Sequence, residues 1–153
     1  MKIAEFLKPE SVICELASSS KADVLKELSA SLARANPSIP AQRLATVLED
    51  RERLGSTGIG EGVAIPHGKL AGLPTLSASF GVSRAGVDFD AIDQKRTHLF
   101  FALVAPENSA GLHLKALARI SRVFKDAAFR RRLRDAADAD AMFQVIADED
   151  AKY

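Results

Sequence analysis

His98-Leu99-Phe100-Phe101-Ala102-Leu103-Val104 carries no polar side chain after its first residue, and Ala105-Pro106 ends it. The run is strand-sized, and a strand apolar on both faces needs cover on both sides. It predicts a central strand with a layer packed on each face. Just upstream, Leu76, Ala78, Phe80 and Val82 alternate with Ser77, Ser79 and Gly81, the period of a half-buried strand. Val87 and Phe89 predict a further short strand beyond the turn-like Arg84-Ala85-Gly86. Nearer the N-terminus, a short extended stretch around Val12-Ile13-Cys14 leads to Ser18-Ser19-Ser20, whose hydroxyls can cap a helix. That helix has the stripe Val24, Leu25, Leu28 and Leu32, and Asn36-Pro37 ends it. A second helix opens near Pro40 with the stripe Leu44, Val47, Leu48 and Leu54, and stops at Gly55. Downstream, a third helix opens near Asn108-Ser109 and carries His113, Leu117, Ile120 and Phe124 on one side. Two shorter helices hold Phe129 and Leu133, then Met142, Phe143, Val145 and Ile146. Helices, then strands, then helices predict an α/β (α+β) fold, a mixed sheet covered by helices.

At 153 residues, 47% of them hydrophobic and 27% charged, the chain has material for one core, and a single domain over 1–153 is expected. Lys and Arg number 21 against 20 Asp and Glu, a formal charge of +1. A generic nucleic-acid or anionic-membrane binder would show a stronger basic bias. No apolar run approaches the roughly 18 residues of a membrane span, so the chain is not membrane-embedded. The single cysteine, Cys14, cannot form an internal disulfide, which points to a reducing cytoplasm.

The segment richest in chemistry is Arg51-Glu52-Arg53-Leu54-Gly55-Ser56-Thr57-Gly58-Ile59-Gly60-Glu61-Gly62-Val63-Ala64-Ile65-Pro66-His67-Gly68. Its glycines at 55, 58, 60 and 62 can expose backbone N–H groups as an anion-binding nest, with Ser56 and Thr57 offering hydroxyls. The spacing is neither a Walker A loop nor a dinucleotide fingerprint. Val63-Ala64-Ile65 predicts a short strand that Pro66 holds extended, with His67 at its exit before the permissive Gly68. A neutral imidazole nitrogen so presented is a competent nucleophile for an activated phosphoryl group. Arg51, near the end of the second helix, can pair with phosphate oxygens, and His113 lies in the first turn of the third helix, where dipole and free N–H groups favour an anion.

Ile59-Gly60-x-x-Val63-Ala64-Ile65-Pro66-His67-Gly68, with Glu52 seven positions before Ile59, resembles the active-site histidine motif of type-2 IIA domains of the phosphotransferase system. Leu54-Gly55-Ser56-Thr57-Gly58-Ile59-Gly60 is similar to the nitrogen-regulatory branch of that fructose–mannitol superfamily. The resemblance implies that His67 accepts a phosphoryl group, with Arg51 sixteen residues earlier and His113 forty-six residues later completing the site. It implies a five-stranded mixed sheet and an HPr-like phosphohistidine carrier as donor, with phosphoenolpyruvate as the ultimate source. Regulatory members control other proteins, such as potassium transport and sensor-kinase systems, whereas sugar-specific members pass the group to a IIB domain. The scheme requires no metal or organic cofactor. Ser56, Thr57, Gly58, Gly60 and Gly68 are the expected phosphate-binding loop residues.

Other features have plainer readings. His98 begins a buried strand and matches no motif position, so it reads as structural. Cys14 reads as a small core residue, and Glu61 as an exposed loop acid. Arg130-Arg131-Arg132 with Arg134 has no interleaved aromatic, and Asp126, Asp135, Asp138 and Asp140 lie nearby, so it reads as a solvated basic face. Three histidines without an H-E-x-x-H motif do not make a zinc hydrolase.

Overall fold

The computed structural model describes all of residues 1–153. After a single 3₁₀ turn, the elements run β1 (Leu7–Ile13), α1 (Lys21–Ala35), α2 (Ala41–Arg53), β2 (Gly58–Gly60), β3 (Val63–Ala64), β4 (His67–Leu70), β5 (Ser77–Val87), β6 (Thr97–Pro106), α3 (Ala110–Val123), α4 (Ala127–Asp135) and α5 (Ala139–Asp150). The sheet order is β1-β5-β6-β3-β2, and β4 also pairs with β6. β6 is central, antiparallel to β5 and parallel to β3 and β4.

The apolar run that predicts a two-sided strand is sorted by simple alternation. Leu99, Phe101, Leu103 and Ala105 enter one core layer, under α3, α4 and α5. Phe100, Ala102 and Val104 enter the other, under α1 and α2. Successive side chains on a strand point to opposite faces, so a strand between two helical layers has no position for a polar residue. Phe80, Phe101, Phe124 and Phe129 stack through tilted and edge contacts at 5.2–6.2 Å and fill the α3–α5 layer.

Three expectations change. The sheet has six strand segments rather than five strands, yet β3 and β4 form one line along β6. Val63 pairs with Leu99 and His67 with Leu103, the same register on both sides of Ile65-Pro66. The Leu103 N–H still donates to the Pro66 carbonyl at 2.9 Å. Pro66 cannot return a donor, so the ladder is interrupted there without leaving the sheet. Second, Arg84-Ala85-Gly86 is no turn between strands: β5 runs through it as a bulge, with register shifting between Val82 opposite Leu99 and Val87 opposite Thr97, and Phe89 lies beyond the strand. Third, Leu54 leaves the stripe of α2 and stands 84% exposed. It is the C-cap, where the helix has ended and its face no longer meets the core.

Candidate functional site

His67 sits at the first residue of β4, not at a strand exit. β2 covers only β3, and its last contact along that line is the Ile65 N–H donating to the Thr57 carbonyl at 3.0 Å. His67 is thus the next side chain on the face of Val63 and Ile65 after the hairpin's cover stops. Parity decides its direction. Val63 and Ile65 belong to the α3–α5 layer, so His67 points to that side as well, while Gly68 faces α2.

On that side the His67 ring meets His113 edge-on, with ring centroids 5.5 Å apart and planes at 70°. His113 is buried in the first turn of α3. Its Nε2 is buried and has no hydrogen-bond partner. An orphaned buried donor or acceptor costs about 1–3 kcal/mol, and this one lies beside a half-buried imidazole. Ser109, the N-cap of α3, makes no capping bond, because its hydroxyl donates back to the Pro106 carbonyl at 2.6 Å. The first N–H groups of α3 therefore remain open to an anion.

His67 Nδ1 lies 2.8 Å from the Ile65 carbonyl oxygen. A carbonyl can only accept, so Nδ1 carries the proton and the lone pair of the neutral ring is on Nε2. Burial holds the His67 pKa below its ordinary 6.5, against the Ile65 hydrogen bond, which raises it; the Arg51 charge adds to the lowering and Glu52 opposes it. His113 is lowered as well, by burial first and then by the charges of His67 and Lys69. Burial thus favours the neutral form of both rings. Because the unfolded chain binds these protons more readily, the stabilisation they confer is complete above pH 6.5 and is lost as pH falls through the lowered folded values. Urea midpoints should fall on acidification below 6.5, and the fall should be shallower in a His67→Ala, His113→Ala double variant. A midpoint for that loss above 6.5 would contradict the assigned direction.

Arg51 comes from the last turn of α2, in the opposite layer. Gly68 seats it there: a Cβ on Gly68 would collide with Val47 Cγ1, so the absent side chain lets α2 approach β4. Val47 and Arg51 are four residues apart on one helix face, so that contact carries Arg51 toward the His67 end of the strand. The Arg51 Nη1 group donates to the Gly55 carbonyl at 2.8 Å. Gly55 has φ 148°, outside the comfortable range of an L side chain, and turns the chain immediately after the helix.

The loop residues expected to bind phosphate are mostly spent on the fold. Both Glu52 carboxylate oxygens accept from the Thr57 N–H at 3.1 Å, and the Thr57 hydroxyl donates to Oε1 at 2.5 Å. Ser56 donates its hydroxyl to the Phe89 carbonyl at 2.7 Å and accepts from the Gly58 N–H at 3.0 Å. Gly60 pairs with Val63, four residues before His67 and about 13 Å along the strand. Gly68 is a packing glycine. His67, His113 and Arg51 are brought together, whereas the glycine run forms a hairpin instead of a nest around them.

The residue that sequence reading undervalued is Glu52. It is 7% exposed and also pairs with Lys21 of α1 at 2.8 Å. Its position was legible: Glu52 follows Leu48 by four residues, which puts a carboxylate on the apolar stripe of α2.

Residues 5–149 match the family described as phosphoenolpyruvate-dependent sugar phosphotransferase system, EIIA 2, and the chain belongs to that family. Among the relatives that it matches over nearly their whole length are nitrogen regulatory proteins. It is 39% identical over 147 residues to the nitrogen regulatory protein of Bradyrhizobium diazoefficiens, covering 96% of this chain and 95% of that one. The crystal structure of nitrogen regulatory protein IIA-Ntr from Neisseria meningitidis superposes with a TM-score of 0.88 at 34% identity, covering 94% of this chain and 98% of that one. The chain is also 35% identical over 150 residues to the fructose-specific EIIABC component of Bacillus subtilis, covering 98% of this chain but 24% of that protein. No helix is long and apolar enough to cross a membrane.

Proposed function

We propose that the protein is a phosphoryl-accepting IIA protein of the nitrogen type, phosphorylated on His67 Nε2 by an HPr-like carrier and controlling other proteins through that state. The observation that carries this reading is the bond from His67 Nδ1 to the Ile65 carbonyl, which fixes the lone pair on Nε2 of a ring that lies edge-on to His113, whose own Nε2 is unpartnered. The Nε2 lone pair attacks phosphorus on the carrier's phosphohistidine. One N–P bond forms as the other breaks, and the departing electron pair returns to the carrier's imidazole. Such a transfer is driven by positioning and charge rather than by a strong nucleophile. Arg51 neutralises oxygens of the transferring group, and His113 with the open α3 N–H groups receives the others. Leu54, three residues after Arg51, and Leu112 and Leu114, which flank His113 in sequence, are 84%, 38% and 67% exposed, apolar surface on which a carrier can seat and exclude water.

The regulatory state then follows from charge. A neutral imidazole becomes a phosphate-bearing anion on the same surface, so a partner that fits one form meets repulsion or an unpaired charge in the other. The targets expected are potassium-transport or sensor-kinase systems in the cytoplasm. Onward transfer to a IIB domain is the second reading, favoured by the fructose-specific relative; adding a IIB domain to the phosphorylated protein separates the two.

Incubation with phosphoenolpyruvate, enzyme I and an HPr-like carrier, followed by peptide mapping of acid-labile phosphate and phosphorus NMR, should place one group on His67 through Nε2. A phosphate on another residue, or on Nδ1, would overturn the reading. Arg51→Ala should retain the fold and slow transfer by roughly a hundredfold or more, the scale of losing one preorganised charge stabiliser. An unchanged rate would remove Arg51 from the site.

A further inference from the structure

The arginine run on α4 is largely the solvated basic face that its composition predicts, with Arg131 and Arg134 exposed. Arg132 turns to the buried Glu149 at 2.8 Å, and Phe129 and Leu133 enter the core. The remaining face, Ala127, Arg130, Arg131 and Arg134, lines a cavity of about 490 Å³ whose other wall includes Arg84, His98 and Leu99. Four guanidinium groups meet two carboxylates there, Glu61 and Asp135. The cavity's size falls in the range of small-molecule sites.

Two of these arginines are fixed in place by the fold. Arg130 donates to the Phe124 and Lys125 carbonyls at 2.8 and 2.7 Å and pairs with Glu61 at 3.4 Å, and Arg84 donates to the Ala136 carbonyl at 3.0 Å and to Glu15 at 3.0 Å. The Nε–H groups of both make no protein hydrogen bond, so each keeps a donor. Arg131 and Arg134 are exposed and make neither a hydrogen bond nor an ion pair. The α4 dipole favours a cation in its last turn, which accounts for Arg134, but not for concentrating three more in one concavity. Like charges in a shared hollow repel unless an anion joins them.

We infer that Arg84, Arg130, Arg131 and Arg134 form a binding site for a compact, multiply charged phosphate compound, separate from the His67 site. Leu99, in its wall, lies opposite Val63, four residues and about 13 Å along the strand from His67. Guanidinium forks match phosphate oxygens in pairs, and two preset and two free arginines suit a diphosphate better than a single anion. A nucleic-acid strand is disfavoured, because no Phe, Tyr or Trp lines the cavity and both carboxylates would face its backbone.

Titration calorimetry with inorganic pyrophosphate at fixed ionic strength tests this. The wild-type protein should show saturable binding, weakened about tenfold or more in an Arg131→Ala, Arg134→Ala double variant. Both side chains are exposed, so thermal melting should confirm an intact fold. Arg53→Ala removes an exposed arginine elsewhere and should leave binding unchanged, as should His67→Ala. The inference is overturned by any of four outcomes: no saturable binding up to about 5 mM, equal loss in Arg53→Ala, no loss in the double variant, or a single-stranded oligonucleotide displacing pyrophosphate at lower concentration.

Discussion

His67→Ala is expected to abolish phosphoryl acceptance from the HPr-like carrier, a loss of at least about a thousandfold that leaves only background label. The change removes the attacking atom, and no other side chain replaces it. His113 is buried, and its role in the proposal is to meet oxygens of the group, not its phosphorus. The fold should survive, because the His67 side chain is half-buried and gives up one hydrogen bond, to Ile65, worth about 1 kcal/mol. His98→Ala is the matched control. Its Nδ1 is bound to the Ser83 carbonyl at 2.9 Å, far along β6 from Leu103, and it should accept label at the wild-type rate. Full labelling of His67→Ala would refute the assignment, and loss of label in His98→Ala would show that folding, not chemistry, sets the readout.

The acid limb of wild-type acceptance carries the same claim. Attack needs the neutral ring, and burial lowers the His67 pKa, so the midpoint of the acid limb should lie below pH 6.5.

What the sequence made legible was set by periodicity. The unbroken apolar run of β6 identified a strand buried on two faces, and the alternation before it identified β5, although β5 is not half-buried as that period predicts: Ser77 and Ser79 are buried too. The place of His67, His113 and Arg51 at element ends was also readable from local signals, Pro66, the start of α3 and Gly55, whereas their spacing as one site came from the family resemblance. Misreadings came where a glycine or a turn residue has more than one use. Gly68 is small so that Val47 of α2 can approach, which no local pattern reveals. Thr57 and Ser56 spend their hydroxyls on Glu52 and Phe89, partners five and thirty-three residues away. Arg84-Ala85-Gly86 composes like a turn, yet the strand continues through it as a bulge. Tertiary partners decided each of these, and a single sequence carries tertiary partners only faintly.

Glu52→Ala should destabilise the protein by about 2–4 kcal/mol, because one carboxylate serves three buried or half-buried groups. Its removal strands the Thr57 N–H and hydroxyl in a residue 4% exposed. Lys21 loses less, since it is 24% exposed and also reaches Asp90 at 3.3 Å. At 153 residues this corresponds to a fall in Tm of roughly 5–15 °C. Glu52→Gln keeps the volume but presents an amide donor to either Lys21 or Thr57, so it should recover only part of the loss. A Lys21→Met variant should cost less than Glu52→Ala, which separates the Thr57 anchor from the ion pair. The effect on function has its own signature. Glu52 raises the His67 pKa, so its neutralisation in Glu52→Gln should move the acid limb of phosphoryl acceptance to lower pH. Because Thr57 no longer fixes the turn that holds the Gly55 carbonyl, Arg51 loses its rest position and transfer should slow about tenfold at a temperature where the variant is folded. A variant as stable as wild type would mean that the buried carboxylate is dispensable. A destabilised variant with an unmoved acid limb would confine Glu52 to the scaffold and sever it from the imidazole.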